Sequence, residues 1–175
     1  MMINHDQEDK TMIIRKIKED DAARFLELQK SVDQSGFMLF EPGERQWTVE
    51  QQQQSINRIL SEENSIIFVA EENQQLAGFI VGLGSQLIRN KHSAYLVLGV
   101  HEDFKGKGVA TQLFQQIFNW AKERGITRLG LTVIKTNEKA IRLYKKMGFE
   151  IEGEKVHSLI IDGKAVNEYY MYKLI

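Results

Sequence analysis

The chain has 175 residues, 42% of them hydrophobic and 27% charged, with 23 basic against 24 acidic side chains for a formal net charge of −1. That size and composition fit one soluble globular domain, and the near-zero balance argues against a general binder of nucleic acid or other polyanions while leaving a local basic patch open. The cysteine count of zero excludes disulfides, cysteine-ligated zinc and a cysteine nucleophile.

Met1 to Lys10 is polar and acidic, unlike a signal peptide, and reads as a flexible tail before one domain spanning 11–175. Met12 to Ile17 suits a first strand. Asp20 and Asp21 open a helix with Phe25, Leu28 and Val32 on one face. Gln34 to Gln46 carries Gly36, Pro42 and Gly43 and is a loop, yet Phe37, Met38, Leu39 and Phe40 within it predict a covered pocket wall or a short helical turn. Thr48 and Gln51 have capping-box spacing, so a second helix should run to about Leu60.

Ser65 to Ala70 and Leu76 to Gly84 read as strands turned by Asn73-Gln74, and His92 to Val100 as a fourth strand. The apolar run Leu76 to Leu83 is far short of the ~20 residues a membrane helix needs, so no membrane partner and a cytoplasmic location are expected. After Lys105-Gly106-Lys107-Gly108 comes a helix whose apolar face is Val109, Leu113, Ile117 and Trp120/Ala121, closed by Gly125. Arg128 to Ile134 is a fifth strand. Asn137 caps a short helix with Ala140, Leu143, Tyr144 and Met147 on one face, ended by Gly148. Phe149 to Ile160 and Ala165 to Leu174 form a hairpin through Asp162-Gly163. The order β-α-α-β-β-β-α-β-α-β-β predicts a mixed sheet with helices on its faces, an α/β or α+β domain.

The glycine turn after the fourth strand is the most informative stretch. The first amides of a helix lack partners inside it and lie at its positive end. Gly106 and Gly108 let an anion approach the backbone closely, and Lys105 and Lys107 add charge, so the ligand implied is a phosphate or pyrophosphate. A sharp strand-to-helix turn would use the same glycines with no ligand. A dinucleotide fingerprint fails at Thr111, and a Walker loop lacks its Gly-Lys-Ser/Thr ending.

Two motifs together resemble the GNAT superfamily of N-acetyltransferases. Lys105-Gly106-Lys107-Gly108-Val109-Ala110 takes the form Gln/Arg-x-x-Gly-x-Gly/Ala, with Lys in the first position. Asn137, Ala140, Leu143, Tyr144, Gly148 and Phe149 fill Asn-x-x-Ala-x-x-Leu-Tyr-x-x-x-Gly-Phe. The resemblance covers Met12 to Ile175. It implies an α/β (α+β) fold with a mixed, mostly antiparallel sheet of about seven strands, helices on both faces, and a cleft where the fourth and fifth strands splay. It implies acetyl-CoA as cosubstrate and an amine acceptor. The amides of Lys105, Gly106, Lys107, Gly108, Val109, Ala110 and Thr111 would hold the pyrophosphate, and the backbone of Leu98 and Val100 would pair with the pantetheine arm. The Val100 amide would polarise the thioester carbonyl. Asn137 would bond the pantetheine, and Tyr144 would stand near the sulfur as general acid. Gly99 suits a bulge or a close backbone approach.

Each residue also has a plain structural reading. Tyr144 sits on an apolar helix face, Asn137 is a sound N-cap, and Lys145 and Lys146 suit the end of a helix as well as a 3′-phosphate. Without cysteine, direct transfer in a ternary complex is expected. Several members of the family carry Glu on the fifth strand where this chain has Thr132, which leaves Glu168, Glu41 and Glu44 as candidate bases, with Glu168 the one assigned. His92, His101 and His157 have no metal-ligand spacing. The resemblance implies a primary amine of a small molecule, protein or peptide as acceptor, and Phe37 to Trp47 should wall the acceptor side with the last hairpin. Tyr169 to Ile175 suits either core or a homodimer interface. The other readings are a non-catalytic acyl-CoA sensor or interaction domain and a nucleotide-binding protein.

Overall fold

The computed structural model describes residues 11–175, and the tail expected at residues 1–10 lies outside them. The described residues follow the predicted order: β1 (Ile13–Lys16), α1 (Ala22–Asp33), α2 (Val49–Leu60), β2 (Ile66–Glu72), β3 (Gln75–Gly84), β4 (Ser93–Val100), α3 (Val109–Glu123), β5 (Arg128–Ile134), α4 (Glu138–Lys146), β6 (Glu150–Ile161) and β7 (Lys164–Leu174). Single 3-10 turns, Glu19–Asp21 and Glu102–Phe104, precede α1 and follow β4.

Local chemistry accounts for the boundaries. Thr48 Oγ1 accepts from the Gln51 amide (3.1 Å) while Gln51 Oε1 accepts from the Thr48 amide (2.9 Å), a reciprocal cap that starts α2. Asn73 and Gln74 both adopt positive φ, 49° and 63°, as a two-residue hairpin matched to strand twist requires. Asp162 and Gly163 do the same for the β6–β7 hairpin. The loop between α1 and α2 departs from expectation. It forms no helix, and the apolar run is only half covered: Leu39 is 79% and Phe37 43% exposed, while Met38 packs against the α1 core. The loop is held instead by Arg45, which ion-pairs with buried Asp33 (2.7 Å) and lays its guanidinium 4.0 Å from the Phe40 ring centre.

The strands order β1-β2-β3-β4-β5-β7-β6, and every neighbouring pair is antiparallel except β4 with β5. Alternation gives the sheet two buried faces. Ile66, Phe68 and Ala70 join Leu113, Phe114 and Ile117 of α3 in one core. Ile67 and Val69 join Phe25, Leu28 and Val32 of α1 and Ile56 of α2 in the other. The helices α1 and α2 pack on β2, β3 and β4. β6 and the tip of β7 are largely exposed, because the last hairpin runs on past the end of β5. At the opposite edge Asp21 is buried and accepts from Arg15 and Arg24 (2.7 and 2.6 Å), and Glu71 pairs with the same two arginines, tying β1, α1 and β2 together. No helix among the described residues is long and apolar enough to cross a membrane.

Candidate active site

The site begins where a ladder stops. On one edge β4 pairs with β3 without a register shift from Gly84↔Ala94 to Gly78↔Val100. On the other edge parallel pairing with β5 ends at Tyr95↔Gly130, so the two strands splay beyond that point. The His101 amide donates to the Ala77 carbonyl (2.8 Å). Backbone groups of successive residues alternate sides along a strand. Those of Leu98 and Val100 therefore turn away from β3 and face the gap. Gly99 makes no bulge. It pairs with Phe79, and a Cβ there would run into the Phe79 ring and come within 3.0 Å of Val32 Cγ1, so the close approach is by a side chain.

β4 feeds through the Glu102–Phe104 turn into α3. Gly108 caps α3 at φ 77° and Gly106 has φ 75°. A Cβ on either glycine would meet nothing within 4 Å, so the space before them is open. The first bond of the helical ladder is the Gln112 amide to the Gly108 carbonyl (3.1 Å). Among the described residues no group accepts from the amides of Gly106 to Thr111. The lysines are differently employed than their sequence implies: Lys105 pairs with Glu102 (2.8 Å), and Lys107 Nζ lies 5.3 Å from the Phe104 ring centre. The cradle is made of backbone, at the positive end of a 15-residue helix.

On the same side of the sheet, α4 turns Ala140, Leu143, Tyr144 and Met147 onto the α3 core, which Leu98 and Val100 also touch. The Tyr144 ring stands edge-on to Phe114 and Phe149, at 5.9 and 6.2 Å between centres. Burial pushes its hydroxyl up to about 12, with nearby Tyr95 adding to the rise. It therefore stays protonated throughout the neutral range. Asn137 caps α4, its Oδ1 accepting from the Ala140 amide (3.4 Å), so its side-chain NH2 remains available.

These features coincide with a family match. The model of the acetyltransferase (GNAT) family matches residues 22–149. The chain belongs to that family. A GNAT-family acetyltransferase from Streptococcus pneumoniae is 30% identical, with a TM-score of 0.88 over 94% of this chain and 100% of that one. The yncA protein of Salmonella typhimurium, solved with its cofactor acetyl-CoA, shares the fold at a TM-score of 0.83 and 17% identity over 94% of each chain. Escherichia coli L-amino acid N-acetyltransferase AaaT is 36% identical over 49% of this chain and 54% of its own length. E. coli spermidine N(1)-acetyltransferase is 32% identical over 59% of this chain and 55% of its own. The chain thus spans about half the length of these two curated relatives.

The opposite face of the GNAT sheet is open beyond β4. Thr132 pairs with Tyr170, and Ile134 with Glu168, so these residues line β5 and β7 there, while Met171 points into the α3 core. Among the described residues the Glu168 carboxylate has no hydrogen-bond or ion-pair partner. The other candidate carboxylates differ. Glu44 Oε2 accepts from the Glu41 amide (2.8 Å) and staples its own turn, and the Glu41 side chain is exposed. His101 Nδ1 accepts from the Asp103 amide (3.1 Å), and His92 and His157 are exposed. Lys145 and Lys146 are exposed in the last turn of α4. Sequence reasoning missed Tyr95 and the Asp33–Arg45 pair. Tyr95 meets Thr132 across 37 positions of sequence, and no local periodicity reports that.

Proposed function

We propose that the chain is an acetyl-CoA-dependent N-acetyltransferase that acetylates a primary amine by direct attack in a ternary complex. The observation that carries this is one continuous backbone track. It runs from the gap-facing groups of Leu98 and Val100 to the six partnerless amides of Gly106 to Thr111. An extended chain ending in a pyrophosphate fits that track, as an added strand and an anion on a helix N-terminus. Leu98 and Val100 would hold the pantetheine arm with help from the Asn137 NH2. The cradle amides from Lys105 to Thr111 would hold the pyrophosphate, although the Lys105 amide already donates to Glu102 (3.3 Å) and contributes least.

The protein groups then supply three things. The Val100 amide is a donor to the developing oxyanion. Tyr144, held protonated by burial, gives its proton to the sulfur as the C–S bond breaks. The amine nitrogen forms the new C–N bond and releases its extra proton on the open face, where Glu168 is the carboxylate placed to take it and pass it to solvent. Tyr144 recovers its proton from water. The acceptor approaches over the β5–β7 face, beside the loop that Arg45 holds.

The test is thiol release from acetyl-CoA with a panel containing spermidine, L-amino acids and a short peptide with a free N-terminus. The expected result is thiol release that matches acetylated amine, with acetyl-CoA raising the melting temperature. Binding of acetyl-CoA with no thiol release on any amine of the panel would show a sensor instead. Greater stabilisation by ATP or NAD than by acetyl-CoA would overturn the ligand.

A further inference from the structure

Where the backbone ladder between β4 and β5 stops, a side-chain bond takes over. The Tyr95 hydroxyl lies 2.7 Å from Thr132 Oγ1, one step past the last paired residues, Tyr95 and Gly130. Thr132 is the direct cross-strand partner of Tyr170, so Tyr95, Thr132 and Tyr170 form a row across β4, β5 and β7 on the open face. Tyr95 is 42% and Tyr170 40% exposed. An exposed hydroxyl pair adds little to stability, so stability alone is a weak reason for it. Its place is better explained by what must pass there.

A neutral primary amine has one lone pair and two N–H donors. The lone pair must point into the gap, at the thioester carbon, so its hydrogens need acceptors at the mouth. Either hydroxyl of this pair can donate, and with Tyr95 donating to Thr132 its own lone pairs turn to the open side. Tyr144 packs on the α3 side of the sheet, near enough to Tyr95 that the two tyrosines interact electrostatically.

We propose that Tyr95, held by Thr132, is the group that receives the incoming primary amine, its hydroxyl accepting an amine N–H bond and aiming the nitrogen into the gap. This rests on the acetyltransferase reading above. It makes Tyr95 a substrate-contacting residue and Thr132 a positioning residue.

The experiment measures steady-state kinetics with the best amine of the panel. Tyr95→Phe keeps the ring and removes the hydroxyl. It should lower kcat/KM for the amine about tenfold, the worth of one hydrogen bond, and leave KM for acetyl-CoA unchanged. Thr132→Val should lose about threefold, Thr132→Ser should recover most of that loss, and Tyr95→Phe with Thr132→Val should be no worse than Tyr95→Phe alone. Unchanged kcat/KM for the amine in Tyr95→Phe, with an active wild type, overturns the role of Tyr95 alone. A loss in Tyr95→Phe that appears in KM for acetyl-CoA rather than in kcat/KM for the amine overturns it too. A wild type that turns over no amine of the panel overturns the acetyltransferase reading and this one with it.

Discussion

The two edges of β4 are built for opposite ends. Along β3 the ladder is closed from Ala94 to Val100, and two glycines, Gly78 and Gly99, make room for neighbouring side chains: Val109 and Leu113 beside one, Phe79 and Val32 beside the other. Along β5 the ladder closes only from Ser93 to Tyr95. Backbone groups seek partners, so the closed edge is finished structure, while the open edge is where the proposed function seats an extended ligand. The lesson is that ending a ladder early leaves backbone groups free along one edge of a strand, here just past Tyr95.

Substitutions can break or sharpen that contrast. The largest effect is expected on the open side. Tyr144→Phe should lower kcat at least about a hundredfold while leaving acetyl-CoA affinity unchanged, measured by thiol release and calorimetry. Because burial pushes that hydroxyl up to about 12, the wild type should show no alkaline loss from it until far above neutral pH. Equal kcat in wild type and variant would remove Tyr144 from the reaction. Next, Gly108→Val forces a branched side chain into φ 77° and sets it before the free amides. Acetyl-CoA affinity should weaken roughly thirtyfold, about 2 kcal/mol. An unchanged affinity would mean that the cradle holds no phosphate.

The closed edge should respond in stability, not in affinity. Gly99→Ala meets the Phe79 ring and should cost about 2 kcal/mol in denaturant unfolding. Acetyl-CoA binding per folded molecule should be preserved. If the variant instead loses acetyl-CoA affinity with full stability, the two edges are not separate. The effect most restricted in conditions lies at the far edge of the sheet and appears only in acid. Burial would raise the Asp21 carboxyl, but hydrogen bonds from Arg15 and from the Lys18 amide outweigh it and hold it down at about 2, against an ordinary 3.8. A depressed carboxyl stabilises above its ordinary value, and this contribution fades as pH falls from about 4 towards 2. That contribution is roughly 2 kcal/mol. Asp21→Asn should flatten the acid limb of stability while leaving the pH dependence of acetyl-CoA binding alone.

Much of this was legible in the chain because it is local. Thr48 with Gln51, Asn137 with Ala140, and the left-handed positions at Gly125, Gly148 and Gly163 are short-range chemistry, and the structure places them as the residues imply. The apolar spacing of Val109, Leu113 and Ile117 likewise predicts which face of α3 is buried. The α1–α2 loop was less legible, since four apolar residues say nothing of whether anything covers them. Arg45 decides its shape by reaching back to Asp33, 12 residues away.

By itself, then, the sequence determined the elements, their order, the glycine turn at Gly106 and Gly108 and the motif around Asn137 and Tyr144, because propensity, capping and periodicity act over a few residues. Tertiary structure alone decided where the β4–β5 ladder ends. It also decided that Tyr95 finds Thr132 across the splay. Those outcomes depend on the register of a parallel pair formed through α3. Strands that pair in parallel are joined by a long crossover, so no short-range pattern records which residues come to face each other.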